Sequence, residues 1–363
     1  MTQLIYDLDL PGLANLLQEW GEPAYRAKQI WEGLYRQLYS MPEQFTNLPK
    51  FLREKLEAKL KFVPFTVKTY IDSSDGYTRK TLFELQDGKV IEAVLMRYGD
   101  PADNPQIVDS PTGRGAKNRR TLCISTQAGC AMGCVFCATG QMGFKRHLSS
   151  GEIVAQVIYY ARMLRDENQA VTNVVLMGMG EPFHNYDNTM AAIDRLNDPE
   201  GYNFGARRFT VSTVGLVPQI RRFADEKRQV NLAISLHAAE DMERSKMLPV
   251  NKRYDIDEVL DACQYYIEKT HRRVTFEWAL IYGVNDSPEV ATKLAARLKG
   301  LLCHVNAIPL NPTTGYNGQA TSRDRAAKFK ETLEQAGVPC TIRMRRGIDI
   351  AAGCGQLAGS VDV

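Results

Sequence analysis

The sequence predicts an α/β protein built as a partial (β/α)6 barrel of the TIM type, with a small helical N-terminal domain and a β-hairpin extension. Three observations lead to this prediction. Apolar residues have helical spacing in residues 10–60, alternate as in strands over residues 64–97, and form strand-like runs between helical stretches from residue 120 to about residue 345. Strands that alternate with helices are joined by right-handed crossovers, so we expect a parallel sheet or an incomplete barrel.

The composition is that of a globular protein, because 44% of the 363 residues are apolar and 24% are charged. No run reaches the roughly eighteen apolar residues of a membrane span, and the acidic N-terminus does not resemble a signal peptide. Eight cysteines in such a chain indicate a reduced, cytoplasmic protein with metal or redox chemistry and no membrane partner. The net charge of +3 permits a nucleic-acid partner without requiring one.

Residues 1–62 are predicted to form the helical domain, in which Leu13 and Leu17 share one helix face and Gly21-Glu22-Pro23 ends the first helix. Acidic and basic residues nearly balance here, so charge alone does not indicate an RNA-binding surface. Residues 63–118 are predicted to form the hairpin extension and a linker loop. Asp87-Gly88 is typical of a hairpin turn, and residues 99–118 are rich in residues of mobile loops. That loop ends in Arg114, Lys117, Arg119 and Arg120, which leaves a solvated loop and a phosphate-contacting loop as alternatives.

Residues 119–346 are predicted to form the barrel, and residues 347–363 a C-terminal tail. The clearest barrel helix spans residues 149–165, where Ser149 and Glu152 are spaced as a capping box. The six predicted strands cover residues 121–125, 174–177, 209–213, 231–236, 274–278 and 304–308, and residues 340–344 form a further strand.

Cys130, Cys134 and Cys137 have the spacing C-x3-C-x2-C. Three thiolates on one short loop suit a [4Fe–4S] cluster and leave one iron without a protein ligand. A structural zinc site would require a fourth ligand, and the nearest later histidine, His147, lies ten residues on. An iron that is open to a small chelating molecule indicates catalysis. A zinc site and plain buried thiols remain as alternatives.

Polar residues follow several of the predicted strands, where reactive groups of a barrel gather. The second strand leads into Met177-Gly178-Met179-Gly180-Glu181-Pro182, whose glycines would permit close backbone approach to a ligand and whose carboxylate would receive an ammonium group. Turn formation explains Ser212 and Asn311 equally well when each is taken singly, and a lone histidine is more often structural. The candidates at later strands are Ser212, Ser235, Leu236, His237 and Asn311.

The motifs CAMGCVFCATG, MGMGEP, TVSTVG and ISLHA together resemble the radical S-adenosylmethionine (SAM) superfamily. TLCISTQ, GKVIEA and GIDIAAGCGQL narrow the resemblance to the dual-specificity adenine-C2 RNA methyltransferases of the RlmN type, close relatives of the Cfr adenine-C8 enzymes. The resemblance covers nearly the whole chain, with Gly353 as a small departure where many members have alanine. It implies a [4Fe–4S] cluster on Cys130, Cys134 and Cys137. It also implies SAM-binding residues: Gly180, Glu181, Ser212, Ser235, Leu236, His237 and Asn311.

The same resemblance implies a reaction. Carbon 2 of adenine is electron-poor and cannot attack a methyl donor, so radical chemistry supplied by the cofactor is required. By resemblance, Cys354 accepts a methyl group from SAM, and a radical from a second SAM activates that methyl group for addition to carbon 2. Glu92 then removes the C2 proton, and Cys123 releases the product by forming a transient disulfide with Cys354. Without the resemblance, Glu92 would be interpreted as an exposed strand carboxylate, Cys123 as a buried strand thiol and Cys354 as a flexible tail thiol.

The implied substrates are an adenosine of 23S ribosomal RNA near the peptidyl transferase centre and an adenosine beside the tRNA anticodon. Residues 1–62 are then an accessory RNA-binding domain, the electron donor is a protein such as flavodoxin, and the chain acts as a monomer. Three basic groups, at residues 114–120, 145–147 and 343–346, flank the predicted active loops and suit phosphate contacts. Cys263, Cys303 and Cys340 lie in apolar runs and are predicted to serve packing.

Two other functions stay open. A Cfr-type adenine-C8 methyltransferase would use the same cluster and thiols, although the helical N-terminus and the run QMGFKRHLS favour the C2 type. A non-catalytic iron–sulfur protein that binds RNA or transfers electrons would need the cluster but not Cys123, Cys354 or Glu92.

Overall fold

The structure is a computed structural model that describes residues 3–99 and 118–359. Its helices are α1 (Leu10–Glu19), α2 (Tyr25–Tyr35), α3 (Lys50–Lys59), α4 (Ala138–Gln141), α5 (Ser150–Asp166), α6 (Tyr186–Asn197), α7 (Val217–Asp225), α8 (Asp241–Met247), α9 (Ile256–Thr270), α10 (Pro288–Leu298) and α11 (Arg323–Gln335). Its strands are β1 (Gln3–Leu4), β2 (Leu60–Lys61), β3 (Phe65–Asp72), β4 (Thr78–Leu85), β5 (Val90–Tyr98), β6 (Arg119–Cys123), β7 (Gln127–Gly129), β8 (Phe144–His147), β9 (Asn173–Leu176), β10 (Phe209–Thr213), β11 (Asn231–Ser235), β12 (Val274–Leu280), β13 (Cys303–Pro309) and β14 (Cys340–Ile342).

A single ten-stranded sheet with the order β14-β13-β12-β11-β10-β9-β6-β5-β4-β3 forms the centre of the fold. The strands from β6 through β9 to β14 are parallel neighbours. The six predicted barrel strands and the further strand are therefore confirmed, with small shifts at their ends. Their interior residues are almost all buried, as expected for parallel strands that are covered by helices.

The predicted β-hairpin is confirmed, but it is not separate from the barrel sheet. Strand β5 pairs antiparallel with β6, with Val94 opposite Cys123, so β3, β4 and β5 extend the same sheet. The turn between β4 and β5 follows the Asp87-Gly88 signal, and Gly88 has a φ of +74°. This continuity matters for function because hairpin side chains can lie on the same face as barrel side chains.

The N-terminal helices share one apolar core with the barrel, whereas the sequence suggested a small core of their own. Leu17 belongs to the same buried cluster as the barrel residues. Arg162 of α5 connects the barrel to the N-terminal segment at a junction that we define by its hydrogen bonds. Its guanidinium donates to the carbonyls of Leu38 and Tyr39, each at 2.6 Å, and to the hydroxyl of Tyr6 at 2.8 Å.

The predicted capping box of α5 is confirmed. The Ser149 hydroxyl accepts a hydrogen bond from the Glu152 amide at 3.2 Å, and the Glu152 carboxylate accepts one from the Ser149 amide at 2.9 Å. Most of the loop predicted over residues 99–118, with Arg114 and Lys117, lies outside the described residues. Within residues 3–99 and 118–359, no helix combines the length and apolarity needed to cross a membrane.

Candidate active site

The register of the sheet places the candidate strand residues on one face. Residues that are paired across neighbouring strands lie on the same side, and side chains alternate along each strand. Because Val94 is opposite Cys123, Glu92 of β5 shares a face with Cys123. Followed from strand to strand, the register puts seven side chains on this face: Lys80, Glu92, Cys123, Ser212, Ser235, Glu277 and Asn306.

Cys130, Cys134 and Cys137 lie on the loop between β7 and α4. The Cys130 amide donates to the Gly143 carbonyl at 3.1 Å, and the Cys137 amide donates to the Cys134 carbonyl at 3.2 Å. Burial raises the pKa of Cys130 to about 12, and the neighbouring charges of Glu181 and Cys137 add to this. Thiols with raised pKa values in one loop are suited to deprotonation by a bound metal, which would be their counter-charge.

The chemistry of these donors fits an iron–sulfur cluster, because Cys130, Cys134 and Cys137 supply three soft thiolate ligands from one loop. Among the described residues, no three His, Cys, Asp or Glu side chains are arranged to hold a single metal ion. In a [4Fe–4S] cluster each thiolate binds a different iron, so the three sulfurs need not converge on one point. The donor set therefore fits a [4Fe–4S] cluster on Cys130, Cys134 and Cys137.

The glycines of the loop after β9 serve close packing within the protein. A Cβ atom at Gly178 would lie 2.7 Å from the backbone of Ile124, and one at Gly180 would lie 2.5 Å from the Cβ of Gln127. Gly180 also has a φ of +104°, which other residues rarely adopt. Packing against the segment that leads into the cysteine loop therefore requires glycine at both positions, whether or not a ligand approaches them. A contact of Gly180 with SAM stays a prediction.

Glu181 is buried beside the cysteine loop. Its two carboxylate oxygens each accept one backbone hydrogen bond at 2.9 Å, from the amides of Phe183 and Val214. Burial raises the pKa of Glu181 to about 7, although these donors oppose the rise. Since its charge also raises the pKa of Cys130, the two groups lie within electrostatic range. A buried carboxylate in this position would gain from a cationic ligand.

Ser212 and Ser235 are half-buried on the inner face of the sheet, and neither hydroxyl has a hydrogen-bond partner in the described part of the chain. His237 is different. Its backbone has a φ of +60°, and its Nδ1 accepts a hydrogen bond from the Ala279 amide at 2.9 Å. Burial lowers the pKa of His237 to about 3, so the ring is neutral and one of its nitrogens already has a structural partner.

The C-terminal tail folds back over the cysteine loop. The Ala138 amide donates to the Gly355 carbonyl at 2.7 Å, and the Asn311 amide group donates to the Cys354 carbonyl at 3.0 Å. Asn311 thus contacts the tail, while its Oδ1 is buried without a partner among the described residues. That oxygen is suited to accept a hydrogen bond from a ligand. The residues alone suggested that Cys354 lies on a flexible tail, but its backbone is anchored over the cysteine loop.

Cys123 and Cys354 are both free thiols and lie within electrostatic range of each other. Cys123 is buried at the end of β6, as predicted, and burial together with Cys354 raises its pKa well above the usual range. Cys354 is accessible to solvent, yet the protein around its thiol raises its pKa, while Arg343 opposes the rise. Both groups are therefore protonated thiols at neutral pH.

Glu92 is fully buried, so the interpretation as an exposed strand carboxylate is wrong. Its Oε1 lies 3.3 Å from Nζ of Lys80, and its Oε2 accepts hydrogen bonds from the tail amides of Ala358 at 2.9 Å and Gly359 at 3.3 Å. Burial raises the pKa of Glu92, and Lys80 opposes the rise. Lys80 was not among the predicted site residues. Its position on β4, where side chains alternate between the two faces of the sheet, was the signal that could have placed it on the same face as Glu92.

A second buried carboxylate, Glu277, was not among the predicted site residues. Glu277 of β12 accepts a hydrogen bond from Nδ2 of Asn306 at 2.8 Å, and burial raises its pKa to about 7 despite the opposing charge of Arg343. Arg343 lies within electrostatic range of both Glu277 and Cys354. The alternation of polar residues along otherwise apolar strands was the signal that could have identified Glu277 and Asn306.

Leu236 and Arg244 support the loops after β10 and β11. The Leu236 side chain is buried in the core, and its carbonyl accepts a hydrogen bond from Nε of Arg244 at 3.2 Å. Arg244 also donates to the Val214 carbonyl at 2.6 Å. The buried guanidinium therefore ties together two loops that carry candidate SAM residues, and the SAM contact of Leu236 stays a prediction.

Several arginines of the predicted basic groups are held by contacts within the protein. Arg146 pairs with Asp87 at 2.6 Å and with Glu152 at 2.8 Å, and Nε of Arg120 donates to Gln169 at 2.7 Å. These two arginines are held by structural contacts, which weakens the phosphate-binding interpretation for them. The guanidiniums of Arg119 and Arg346 stack on the Tyr98 ring, at 3.9 and 4.6 Å from its centroid. Cys263, Cys303 and Cys340 are buried, as predicted.

Comparison with known proteins gives consistent likenesses. Residues 124–295 match the Radical SAM superfamily, and residues 4–61 match the ribosomal RNA large subunit methyltransferase N-terminal domain. The chain is 48% identical over 358 residues to the dual-specificity RNA methyltransferase RlmN 1 of Myxococcus xanthus, covering 99% of this chain and 95% of that protein. It is 48% identical to the probable dual-specificity RNA methyltransferase RlmN of Chloroflexus aurantiacus, covering 98% and 92%. The crystal structure of a radical SAM methyltransferase from Sphaerobacter thermophilus matches with a TM-score of 0.92 and 49% identity, covering 99% of this chain and 100% of that one.

Proposed function

This chain belongs to the RlmN family of radical SAM RNA methyltransferases, and on that premise we propose that it methylates carbon 2 of an adenosine in 23S ribosomal RNA and of an adenosine beside the tRNA anticodon. The observation that carries the proposal is the grouping of Glu92, Cys123 and Cys354 beside the cysteine loop. The names of the relatives support two classes of RNA substrate.

The family implies a [4Fe–4S] cluster and SAM, which supply the methyl group and the radical chemistry when they are bound. Cys130, Cys134 and Cys137 would hold the cluster. Glu181 would receive the amino group of SAM, and the unpartnered Oδ1 of Asn311 and the hydroxyls of Ser212 and Ser235 offer further polar contacts. The sites of Gly180, Leu236 and His237 remain part of the proposed SAM pocket.

Two thiols outside the cluster are needed for release of the product. Cys354 would accept a methyl group and become the link between the protein and the adenine. The sulfur of Cys123 would then attack the sulfur of Cys354 as the Cys123 thiol gives up its proton, which forms the disulfide and breaks the sulfur–carbon bond. The electron pair of that bond passes to the methylene carbon, which takes a proton and becomes the methyl group. The nearness of the two free thiols supports this assignment.

Glu92 would accept the proton from carbon 2. Its Oε1 is buried and faces Nζ of Lys80 at 3.3 Å without a well-aligned hydrogen bond, and of its two lone pairs one has no partner among the described residues and could take a proton. Its raised pKa makes it a stronger base than an ordinary carboxylate. The target base would have to leave its stack to reach this position. The flavodoxin-type electron donor, the monomeric state, the cytoplasmic location and the domain boundaries at residues 62, 118 and 346 stay predictions.

The regiochemistry is tested with the reconstituted enzyme, SAM, a reductant, and RNA fragments that contain each substrate adenosine. We expect C2-methyladenosine in both, resolved from the C8 isomer by chromatography and mass analysis. C8-methyladenosine would identify a Cfr-type enzyme, and no methylation of either RNA would contradict the proposal.

The two-thiol mechanism predicts that Cys123→Ala stops after the adduct has formed. Without the resolving thiol, the RNA should stay bound to Cys354, giving a band on a denaturing gel that carries both protein and RNA. Cys354→Ala should give neither adduct nor product, and Cys263→Ala, a packing thiol, serves as the matched control with normal turnover. Normal turnover of Cys123→Ala would exclude the resolving role.

A further inference from the structure

The segment that carries Cys354 is fastened at both ends to one buried ion pair. We define residues 351–359 as the Cys354 loop. At its start, the Ala351 carbonyl accepts a hydrogen bond from Nζ of Lys80 at 3.4 Å. At its end, the amides of Ala358 and Gly359 donate to Oε2 of Glu92 at 2.9 and 3.3 Å. The two ends of the loop therefore meet at Lys80 and Glu92.

This ion pair differs from the other pairs of the hairpin. The side chains of Lys80 and Glu92 are 4% and 0% exposed, and their charged atoms lie 3.3 Å apart. Lys68 and Glu84 form a similar pair at 3.1 Å on the same hairpin, but they are 47% and 38% exposed. Removing charges from water is costly, so a buried pair adds little net stability, and the groups that its charges orient are the better guide to its role. Besides each other, the side chains of Lys80 and Glu92 contact the Cys354 loop.

Resting on the function proposed above, we propose that Lys80 is a positioning residue for two parts of the reaction: it keeps the base Glu92 ionised and oriented, and it holds the Cys354 loop over the cysteine loop. Lys80 does not contact the adenine in this role. It acts through Glu92, whose Oε2 accepts hydrogen bonds from the loop amides, while Oε1 faces Nζ of Lys80 at 3.3 Å without a well-aligned hydrogen bond and is the oxygen that would take the proton.

The charge of Lys80 favours the ionised form of Glu92. Lys80 lies on β4, across the hairpin from Glu92, and the tail contributes backbone amides to the carboxylate. Burial favours the protonated form of Glu92, and an ammonium group within about 4–6 Å lowers a carboxyl pKa by about 1–3 units. Loss of that ammonium would leave Glu92 protonated over a wider pH range and thus unable to accept a proton.

The structural half of the proposal is tested by hydrogen exchange of the full chain without RNA. In Lys80→Met, amides of residues 351–359 should exchange at least about tenfold faster than in the wild type, since the start of the loop loses its contact with Lys80 and Glu92, which holds the end of the loop, loses its ion-pair partner. Lys80→Arg should keep most of the protection, and Lys68→Met, the exposed matched control, should leave this loop unchanged. Unchanged exchange in Lys80→Met would overturn the proposal. Lys80→Gln replaces it if Lys80→Met does not fold.

The catalytic half is tested by the pH dependence of RNA methylation. The acidic limb of the profile should move upward by about 1 pH unit or more in Lys80→Met and stay near the wild-type position in Lys80→Arg. A loss of activity that is equal at all pH values would overturn the positioning of the base. Faster loop exchange in Lys80→Met, together with no RNA methylation by the wild type, would overturn the proposed function while supporting the hold of Lys80 on the loop.

Discussion

Two carboxylates inside the barrel, Glu181 and Glu277, have pKa values raised to about 7 by burial. Each is the acceptor of hydrogen bonds from neighbouring groups, but neither forms an ion pair among the described residues. An acidic residue that is held in this way lowers the stability of the empty protein once it ionises. This loss of stability is expected at a site where a bound cationic ligand offsets it, as we propose for Glu181 and SAM.

The free-energy cost of ionising the buried Glu277 predicts that the effect of Glu277→Gln on stability depends on pH. As the pH rises from about 4.5 to 7, the unfolded chain releases the Glu277 proton while the folded chain retains it, so the wild type loses stability across this window. The variant lacks this titration and can still accept the hydrogen bond from Asn306. Its stability relative to the wild type should therefore rise by about 1–3 kcal/mol between pH 5 and pH 8, measured by urea denaturation. The same difference at both pH values would contradict this account.

At the scale of elements, the loop after β9 and the segment after β6 are fitted to each other. Gly180 packs closely against Gln127, and the side-chain oxygen of Gln127 accepts a hydrogen bond from the Glu181 amide at 2.8 Å. The same segment continues into β7 and the cysteine loop. Correct placement of the cluster ligands therefore depends on a loop that belongs to a different strand.

This dependence predicts that Gly180→Ala lowers iron binding. The added Cβ would lie 2.5 Å from the Cβ of Gln127 and would shift the start of the cysteine loop. Gly283→Ala is the matched control, because Gly283 also has a positive φ, +69°, but nothing lies within 4 Å of an added Cβ. Both variants should lose about 1–2 kcal/mol from backbone strain, while only Gly180→Ala should lose iron after anaerobic reconstitution. Equal iron content in the two variants would refute the coupling.

At the scale of the whole molecule, the hairpin and the N-terminal helices are both joined to the barrel. The hairpin continues the barrel sheet and contributes Lys80 and Glu92 to its inner face. The N-terminal helices cover α5 on the outside, where Arg162 donates to two carbonyls and to one hydroxyl. The two regions thus differ in position, since the hairpin adds residues to the sheet face that carries the proposed site and the N-terminal helices pack on α5 outside it.

The hydrogen bonds from Arg162 to the N-terminal segment predict the effect of Arg162→Ala. Loss of three charge-assisted hydrogen bonds, each typically worth about 1.5–3 kcal/mol, leaves two carbonyls and the Tyr6 hydroxyl without this donor. Limited proteolysis within residues 36–62 should become faster, while the barrel resists. Arg165→Ala is the control, because Arg165 contacts the adjacent Gln37 carbonyl but is exposed, so its effect should be smaller. Equal proteolysis of the two variants would show that Arg162 does not fasten the junction.

The sequence by itself determined the strands of the barrel, the capping box of α5, the hairpin turn and the family. These features depend on local patterns: apolar alternation, a Ser149–Glu152 spacing, an Asp-Gly turn and a cysteine triplet. The residues assigned to the cluster, to SAM and to the two thiols follow from the resemblance, and their roles stay predictions. Local patterns suffice for such features because each is encoded within a few neighbouring residues.

Only the tertiary structure decided that Glu92 is buried, that Lys80 is its partner and that the Cys354 loop closes on both. It also decided that Arg146 and Arg120 are engaged in structural contacts. These residues are far apart in the chain, and burial and pairing depend on which strands become neighbours in the sheet. A pattern of single residues cannot encode that information, because the charge and pKa of a side chain are set by the groups that folding brings around it.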